Sequence, residues 1–295
     1  MNDTAPDAAP DCAPPQPVVR TPRARLPDGA CDCHCHVFGE RARYPLDPRR
    51  NYTPHVATLA DHRAVMAACG IERAVLVQPS VYGTDNSCLL DALRDAASQG
   101  GAYRGIVVPD AAASDDELLA MDALGVRGIR LNVVNPQMLA LDDAIALCTR
   151  MRSRDWHLQV HLTVAGDGAA TLARLADRVD VPIVVDHFGR PAAGARLPGL
   201  LLDLVASGRV WVKLSAAYRI GVPAASAHAD IRSLVDALVA ANPARLLWGS
   251  DWPHTELHDP TPHDADLVDL LVATLPDAAT LRRVCVDNPV ALYRF

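Results

Sequence analysis

Short apolar runs rich in β-branched residues alternate with amphipathic stretches along most of this 295-residue chain. A short apolar run predicts a buried strand, whereas apolar residues spaced three or four positions apart predict a helix. Several helical stretches open on Asp, Ser or Thr and close on Gly, which are typical helix ends. The predicted strands are 30–38, 73–79, 103–109, 126–134, 157–164, 181–188, 209–215 and 245–251. The predicted helices are 58–69, 86–99, 114–124, 141–154, 168–178, 197–207, 227–240 and 264–285.

Eight strands alternating with eight helices predict an α/β fold, a (β/α)8 or TIM barrel, rather than a six-stranded doubly wound sheet. No G-x-G-x-x-G follows the first predicted strand, which further disfavours a nucleotide-binding sheet. The length allows one large domain or two small ones. The barrel interpretation favours one domain over residues 30–295. Residues 1–29 contain seven prolines and no apolar periodicity, so they predict an extended or disordered arm.

Charge and composition narrow the classes of partner. A net charge of −7 without basic clusters argues against a nucleic-acid partner. The chain shows neither a long uncharged apolar run nor a signal segment, so we expect a cytoplasmic protein, monomeric or homodimeric, that does not associate with membranes. Its eight cysteines are then expected to be reduced. Of 28 basic residues only Lys213 is lysine. Codon bias explains most of the arginines, and some are candidates for bidentate anion binding.

In a barrel, the active residues lie at the carboxyl ends of the strands. The first predicted strand carries His34 and His36, which are two positions apart and therefore share a face. Two imidazoles on one face can chelate a divalent ion. The alternating cysteines Cys31, Cys33 and Cys35 would lie on the opposite face. A zinc knuckle built from them is the alternative, but three thiols on one flat strand cannot enclose a tetrahedral ion, so a buried structural role is favoured.

Other strand ends carry further residues of the same chemical kind. His161 lies on the fifth predicted strand, His187 on the sixth and Asp251 on the eighth. Each histidine taken singly fits a core or surface role better than a functional one. Together with the first strand they predict one polar site at the barrel mouth.

The order and spacing of several motifs resemble the amidohydrolase superfamily over residues 30–295. Within it the chain is similar to the lactone hydrolases typified by 2-pyrone-4,6-dicarboxylate hydrolase, a branch whose members act also on sulfomuconolactone and sugar lactones. The motifs are D-C-H-C-H-V-F-G at 32–39, Y-T-P at 52–54, V-R-G-I-R-L-N at 126–132, V-V-D-H-F-G-R-P at 184–191, K-L-S at 213–215, W-G-S-D-W-P-H at 248–254 and D-N-P at 287–289.

The resemblance implies catalytic roles for two residues. Asp251 takes a proton from the attacking water and later delivers it to the leaving oxygen. His187 orients or polarises the water or the carbonyl, or serves as an extra metal ligand. The neighbouring Asp186 is expected to point to the other side of its strand and to be structural.

The resemblance also implies a pocket for a carboxylated substrate. Three arginines match positions that bind substrate carboxylates, to which guanidinium groups are well suited. The predicted substrate-binding residues are Arg130, Arg190, Arg219, Tyr52, Ser80, Trp252 and His254.

Two positions depart from the dicarboxylate hydrolase. Pro136 stands where that enzyme has a further arginine, which weakens recognition of a second carboxylate. His161 stands where that enzyme, which works without a metal, has a tyrosine. We therefore predict one zinc or similar divalent ion on His34, His36, His161 and Asp251, with metal-independent catalysis left open.

Lys213 lies on the seventh predicted strand, whereas the carbamylated lysine that bridges two metals in the superfamily lies on the fourth. A two-metal site is therefore disfavoured, and Lys213 is expected to make a hydrogen bond at its strand end.

The predicted function is hydrolysis of a small carboxylated lactone, of the pyrone-dicarboxylate, muconolactone or sugar-lactone type, in aromatic or sugar-acid catabolism. A metal-dependent non-oxidative decarboxylase on the same barrel is the main alternative. A lactone isomerase, which is a nearer relative than the decarboxylase, is a further alternative. The non-enzymatic alternative is a barrel that serves only for binding or as a scaffold.

Overall fold

The computed structural model describes residues 9–18, 20–134, 139–220 and 228–295. Eight parallel strands form one sheet, in which each strand pairs with the next along the chain. This order confirms the predicted (β/α)8 barrel. The strands are β1 Cys31–Cys35, β2 Arg73–Val77, β3 Ala102–Val107, β4 Val126–Asn132, β5 His157–His161, β6 Ile183–Val185, β7 Val210–Ser215 and β8 Leu246–Gly249.

The α-helices follow the strands along the chain, and the predicted helix 264–285 is wrong as a single element. The first segment of that region ends just before Pro276, because proline lacks an N–H and clashes with the preceding turn. Asp277 caps the next segment by accepting a hydrogen bond of 2.7 Å from the Thr280 N–H. Within the described ranges, none of the helices combines the length and apolarity of a bilayer crossing. The α-helices are α1 Leu59–Cys69, α2 Ser87–Ser98, α3 Asp115–Ala123, α4 Leu141–Met151, α5 Asp167–Arg178, α6 Gly199–Ala206, α7 His228–Ala241, α8 Asp264–Thr274, α9 Ala278–Arg282 and α10 Asn288–Tyr293.

Alternate strand residues pack into two different cores. One set packs beneath the helices, and the other fills part of the barrel interior. Further inward positions carry polar side chains that are also buried, among them Arg130, Gln159 and Lys213. Buried polar groups require partners. The interior is thus divided between apolar packing and a polar network that leads to the mouth.

The last strand joins the first through backbone hydrogen bonds near the mouth. The Asp251 N–H donates to the His34 carbonyl at 2.8 Å, and the His36 N–H donates to the Trp252 carbonyl at 2.8 Å. Gly249 permits this approach, since a Cβ there would lie 2.6 Å from the His34 Cβ. Asp32 supports the same join by accepting the Ser250 N–H at 2.9 Å. The closure fixes Asp251 beside the first-strand histidines.

The arm predicted over 1–29 is described in residues 9–18 and 20–29, which form no helix and only one isolated bridge, between Asp11 and Thr53. The Cys12 N–H donates to the Thr53 carbonyl at 2.9 Å, and the Ala13 N–H donates to the Leu257 carbonyl at 2.7 Å. The Cys12 and Leu26 side chains are buried. The described arm therefore lies against the barrel and joins the loop before α1 to the loop after β8. The domain boundary at residue 30 stays a prediction.

Candidate active site

Three imidazoles surround one oxygen of Asp251 at the barrel mouth. The Nε2 atoms of His34, His36 and His187 lie 3.6, 3.5 and 3.8 Å from the Asp251 Oδ1. Asp251 Oδ1 and His34 Nε2 are buried without a hydrogen-bond partner among the described residues. The predicted convergence of strands one, six and eight is therefore present in the structure.

The outer ring nitrogens orient the first-strand imidazoles. His36 Nδ1 lies 2.7 Å from the Val77 carbonyl, which can only accept, so Nδ1 carries a proton and Nε2 faces Asp251. His34 Nδ1 lies 3.3 Å from the Asp186 carboxylate. Burial and the nearby Lys213 lower the pKa of His34 to about 3, so its ring is neutral at pH 7.

The cysteines of β1 do not all lie opposite the histidines, contrary to the prediction. Cys31 and Cys33 belong to the apolar cluster of the barrel interior, while Cys35 lies beside Asp32 on the outer face. The strand register shifts between Asp32 and Cys35, and such a bulge breaks the two-residue alternation. All eight cysteines are free and buried, as a structural role predicts.

Asp186 points into the barrel, which corrects the expectation that it faces the other way. Its Oδ1 lies 3.3 Å from His34 Nδ1 and 3.5 Å from Lys213 Nζ, and its Oδ2 accepts from Gln159 Nε2 at 3.1 Å. Burial opposes ionisation, but the hydrogen bond from the His34 ring and the charge of Lys213 outweigh it and hold the pKa of Asp186 well below its usual value. His187 adopts a φ of 53°, which turns its side chain into the same site. Two adjacent residues therefore both face inward.

The single lysine makes the hydrogen bond that was predicted for it. Lys213 Nζ donates to Gln159 Oε1 at 2.7 Å and lies 3.3 Å from His34 Nδ1. Burial lowers the pKa of Lys213, which Asp186 opposes. The lysine and Asp186 form a fully buried charge pair beneath the histidines.

Asp251 uses its second oxygen for two strong hydrogen bonds. The Asp251 Oδ2 accepts from Arg219 Nε at 2.6 Å and from the Tyr218 hydroxyl at 2.7 Å. Burial raises the pKa of Asp251, but Arg219 and His187 outweigh it and hold it well below its usual value. The carboxylate is therefore ionised at neutral pH and fixed in orientation, with Oδ1 facing the imidazoles.

His161 lies between two arginines and is not grouped with the Asp251 oxygen. Its Nδ1 is 2.9 Å from Arg130 Nη2, and its Nε2 is 2.8 Å from Arg190 Nη1. Burial and Arg130 lower its pKa well below 6.5, so the ring is neutral. A neutral imidazole has one lone pair, so only one guanidinium can donate to it at a time. The same lone pair would be needed for the metal role predicted for His161.

The three predicted anchor arginines divide into two groups. Arg130 is buried, and its Nη1 donates to the Gln78 carbonyl at 2.9 Å. Arg130 and Arg190 converge on His161. Arg130 and His161 line the pocket at the mouth, whereas Arg190 lies outside that lining and contacts it through His161. Arg219 instead bonds Asp251 and donates from Nη1 to Glu256 Oε2 at 2.9 Å. Pro136, the predicted site of a missing arginine, lies outside the described residues.

Two of the four remaining predicted pocket residues line the pocket that holds Arg130, His161 and Asp251, and two do not. Tyr52 and Ser80 line it. Trp252 instead packs on His62, with ring centroids 5.2 Å apart, and His254 reaches the Tyr218 hydroxyl at 3.1 Å from outside the lining. Residues the sequence reasoning missed are Asn132, Thr255 and Glu256 in the lining, and Tyr218 behind Asp251. Strand alternation from Arg130 could have found Asn132, whereas the loop residues carry no such signal.

Known proteins resemble this chain in sequence and in fold. A family model described as amidohydrolase matches residues 31–295. The 4-sulfomuconolactone hydrolase of Rhizobium radiobacter is 40% identical, with 94% of this chain and 96% of that protein covered. The 2-pyrone-4,6-dicarboxylate hydrolase of Comamonas testosteroni is 34% identical, with 92% of each covered. A crystal structure of an Agrobacterium tumefaciens protein without ligand superposes with a TM-score of 0.82 at 28% identity, covering 93% of this chain and 99% of that one.

Proposed function

The chain belongs to the amidohydrolase family, and from that premise we propose that it hydrolyses a small lactone bearing an acid group. The observation that carries this proposal is the geometry of Asp251. One of its oxygens is held by Arg219 and Tyr218, and the other faces the imidazoles without a hydrogen-bond partner among the described residues. A fixed carboxylate beside the attacking water can act as the general base in hydrolysis of a cyclic ester. Both curated relatives described above are named as lactone hydrolases.

In the proposed reaction, water adds to the ring carbonyl carbon and gives a proton to Asp251 Oδ1. The ring C–O bond then breaks, and Asp251 returns the proton to the leaving oxygen, so the product is an open-chain hydroxy acid. His187 is positioned to orient the water or the carbonyl, because Ser215 Oγ lies 2.8 Å from its Nδ1 and its Nε2 faces the site. Arg219 acts through Asp251 by keeping it ionised and in place.

The acid group of the substrate is proposed to bind Arg130 and Arg190. These guanidinium groups converge on His161, which can accept from only one of them at a time. The other guanidinium can therefore turn to an anion without losing a hydrogen bond. Tyr52, which is buried in the pocket lining with Ser80, is proposed to complete the subsite.

A divalent cation fits the residues around Asp251 Oδ1. His36 Nε2 and the unpartnered Nε2 of His34 face the carboxylate oxygen, and with neutral rings both would offer lone pairs to a cation between them. His34, His36 and Asp251 of the predicted set would hold it, with His187 as the nearest further imidazole in place of His161. Nitrogen and carboxylate donors suit zinc. A bound zinc ion would lower the pKa of water and polarise a carbonyl.

Zinc analysis is expected to find about one equivalent per chain in the active, unchelated protein. His36→Asn should bind little zinc and should lose the rise in melting temperature that zinc gives the native protein, because ligand binding to the folded state stabilises it. His258→Asn removes an exposed histidine far from Asp251 and is the matched control. Less than about 0.1 equivalent in active protein would exclude the metal part of the proposal.

The function is tested with a panel of lactones, assayed by acid release with and without added zinc. The panel includes 4-sulfomuconolactone, 2-pyrone-4,6-dicarboxylate, muconolactone and a sugar-acid lactone. Opening of at least one of them to the hydroxy acid is expected. A rearranged lactone would indicate an isomerase, and carbon dioxide release without ring opening would indicate a decarboxylase.

A further inference from the structure

Glu256 places a second carboxylate, besides that of Asp251, in a pocket whose lining also holds Arg130 and Arg219. It lies in the loop after β8 and lines the same cavity as Arg130 and Asp251. Its Oε1 accepts from Asn51 Nδ2 at 3.0 Å, and its Oε2 accepts from Arg219 Nη1 at 2.9 Å. These two hydrogen bonds fix the position of the negative charge.

The backbone of Glu256 is held as firmly as its side chain. Its N–H donates to Cys12 Sγ of the N-terminal arm at 3.3 Å. Its φ of 62° is a left-handed conformation that non-glycine residues rarely adopt without support from their surroundings. The arm therefore contributes to the position of a pocket residue.

Arg219 is less suited to bind a substrate anion, because each of its three nitrogens already donates to a partner in the protein. Nε donates to Asp251, Nη1 donates to Glu256, and Nη2 donates to the Thr255 carbonyl at 3.0 Å. Of the three predicted anchors, only Arg130 and Arg190 are left for the substrate. A second acid group in the same pocket would lie near the Glu256 carboxylate, because Glu256 lines that pocket together with Arg130.

We propose that Glu256 restricts this site to lactones with a single acid group. This inference rests on the proposed lactone hydrolase and names its substrate class. The acid group binds at Arg130 and Arg190, and Glu256 repels a second carboxylate or sulfonate. A hydroxyl group in the same place would instead donate a hydrogen bond to Glu256. Sugar-acid lactones and muconolactone have the required charge, whereas 2-pyrone-4,6-dicarboxylate and 4-sulfomuconolactone carry two acid groups.

The test compares two unreactive ring acids that differ only in a second carboxylate, benzoate and isophthalate, by titration calorimetry. The native protein should bind isophthalate no more than about threefold more tightly than benzoate. Glu256→Gln keeps the shape and removes the charge, and should raise the isophthalate-to-benzoate affinity ratio about tenfold or more. Glu256→Asp keeps the charge and should stay close to the native ratio. Glu40→Gln, at an exposed position outside the pocket lining, is the matched control.

An unchanged ratio in folded Glu256→Gln would overturn the inference. If that variant does not fold, the native protein alone still tests the inference. Native protein that binds isophthalate ten times more tightly than benzoate would contradict the inference directly. Absence of benzoate binding would also overturn it, since the site would then take no acid group. These affinities do not depend on turnover. A panel in which no lactone opens would reject the proposed function and leave the charge preference to be decided by the binding ratio.

Discussion

Asp251→Asn is expected to lower kcat about a thousandfold or more while leaving substrate affinity within a fewfold of the native value. The asparagine amide has nearly the same shape, and its oxygen can still accept from Arg219 and Tyr218. Its nitrogen would then face the imidazoles, where it can donate a hydrogen bond but cannot take a proton from water. The variant should therefore fold and bind, but not turn over. Single-turnover kinetics and calorimetric affinity for the best lactone of the panel measure the two effects.

Asp122→Asn is the matched control for this variant. Asp122 is a partly buried carboxylate whose Oδ1 accepts from Trp156 Nε1 at 2.7 Å and from Arg127, and it does not line the pocket. It should keep kcat within about twofold, because general acid–base catalysis requires a carboxylate within reach of the reacting atoms. A near-normal kcat in Asp251→Asn would rule out the proposed role of Asp251.

The barrel and the position of its mouth follow from local patterns that repeat along the chain. Most strands lie in short apolar runs and most helices have their own periodicity, so an error in one element does not change the architecture. Polar residues that follow such runs, such as His36 and Asp251, come together because all strands are parallel. This explains why the convergence could be predicted without knowing any individual contact.

Side-chain direction at strand ends was less predictable, because it depends on backbone irregularities that leave no clear trace in the sequence. The register shift after Asp32 puts Cys33 and His34 on the same side of the barrel wall. The positive φ of His187 turns its side chain inward beside that of Asp186. Strict alternation would have placed these two side chains on opposite faces. Both departures bring more polar groups into the site than a period of two allows.

The roles of the arginines could not be assigned from their positions alone. Arg219 follows β7 as an anchor would, but its partners Asp251 and Glu256 lie on another loop more than thirty residues away. His161 likewise matches a metal-ligand pattern by its strand position, and its neighbours Arg130 and Arg190 take up its nitrogens. A residue type and a strand end predict that a side chain reaches the mouth. The hydrogen-bond partners that decide its task come from other strands and loops.

Arg190→Met is expected to lower kcat/KM for an acid-bearing lactone about a hundredfold, mostly through KM, because a buried charge-assisted contact is lost. A lactone of the same ring without the acid group should be affected less than about threefold, since it makes no such contact. Arg190→Lys keeps the charge but not the planar fork, so it should fall between the native protein and Arg190→Met. Arg209→Met is the control, because Arg209 immediately precedes β7, at the end of the strand away from the mouth, and donates to the Val181 carbonyl at 3.0 Å. Equal losses for the acid and neutral lactones would assign Arg190 a structural role, and His161 would then serve to hold Arg130 alone.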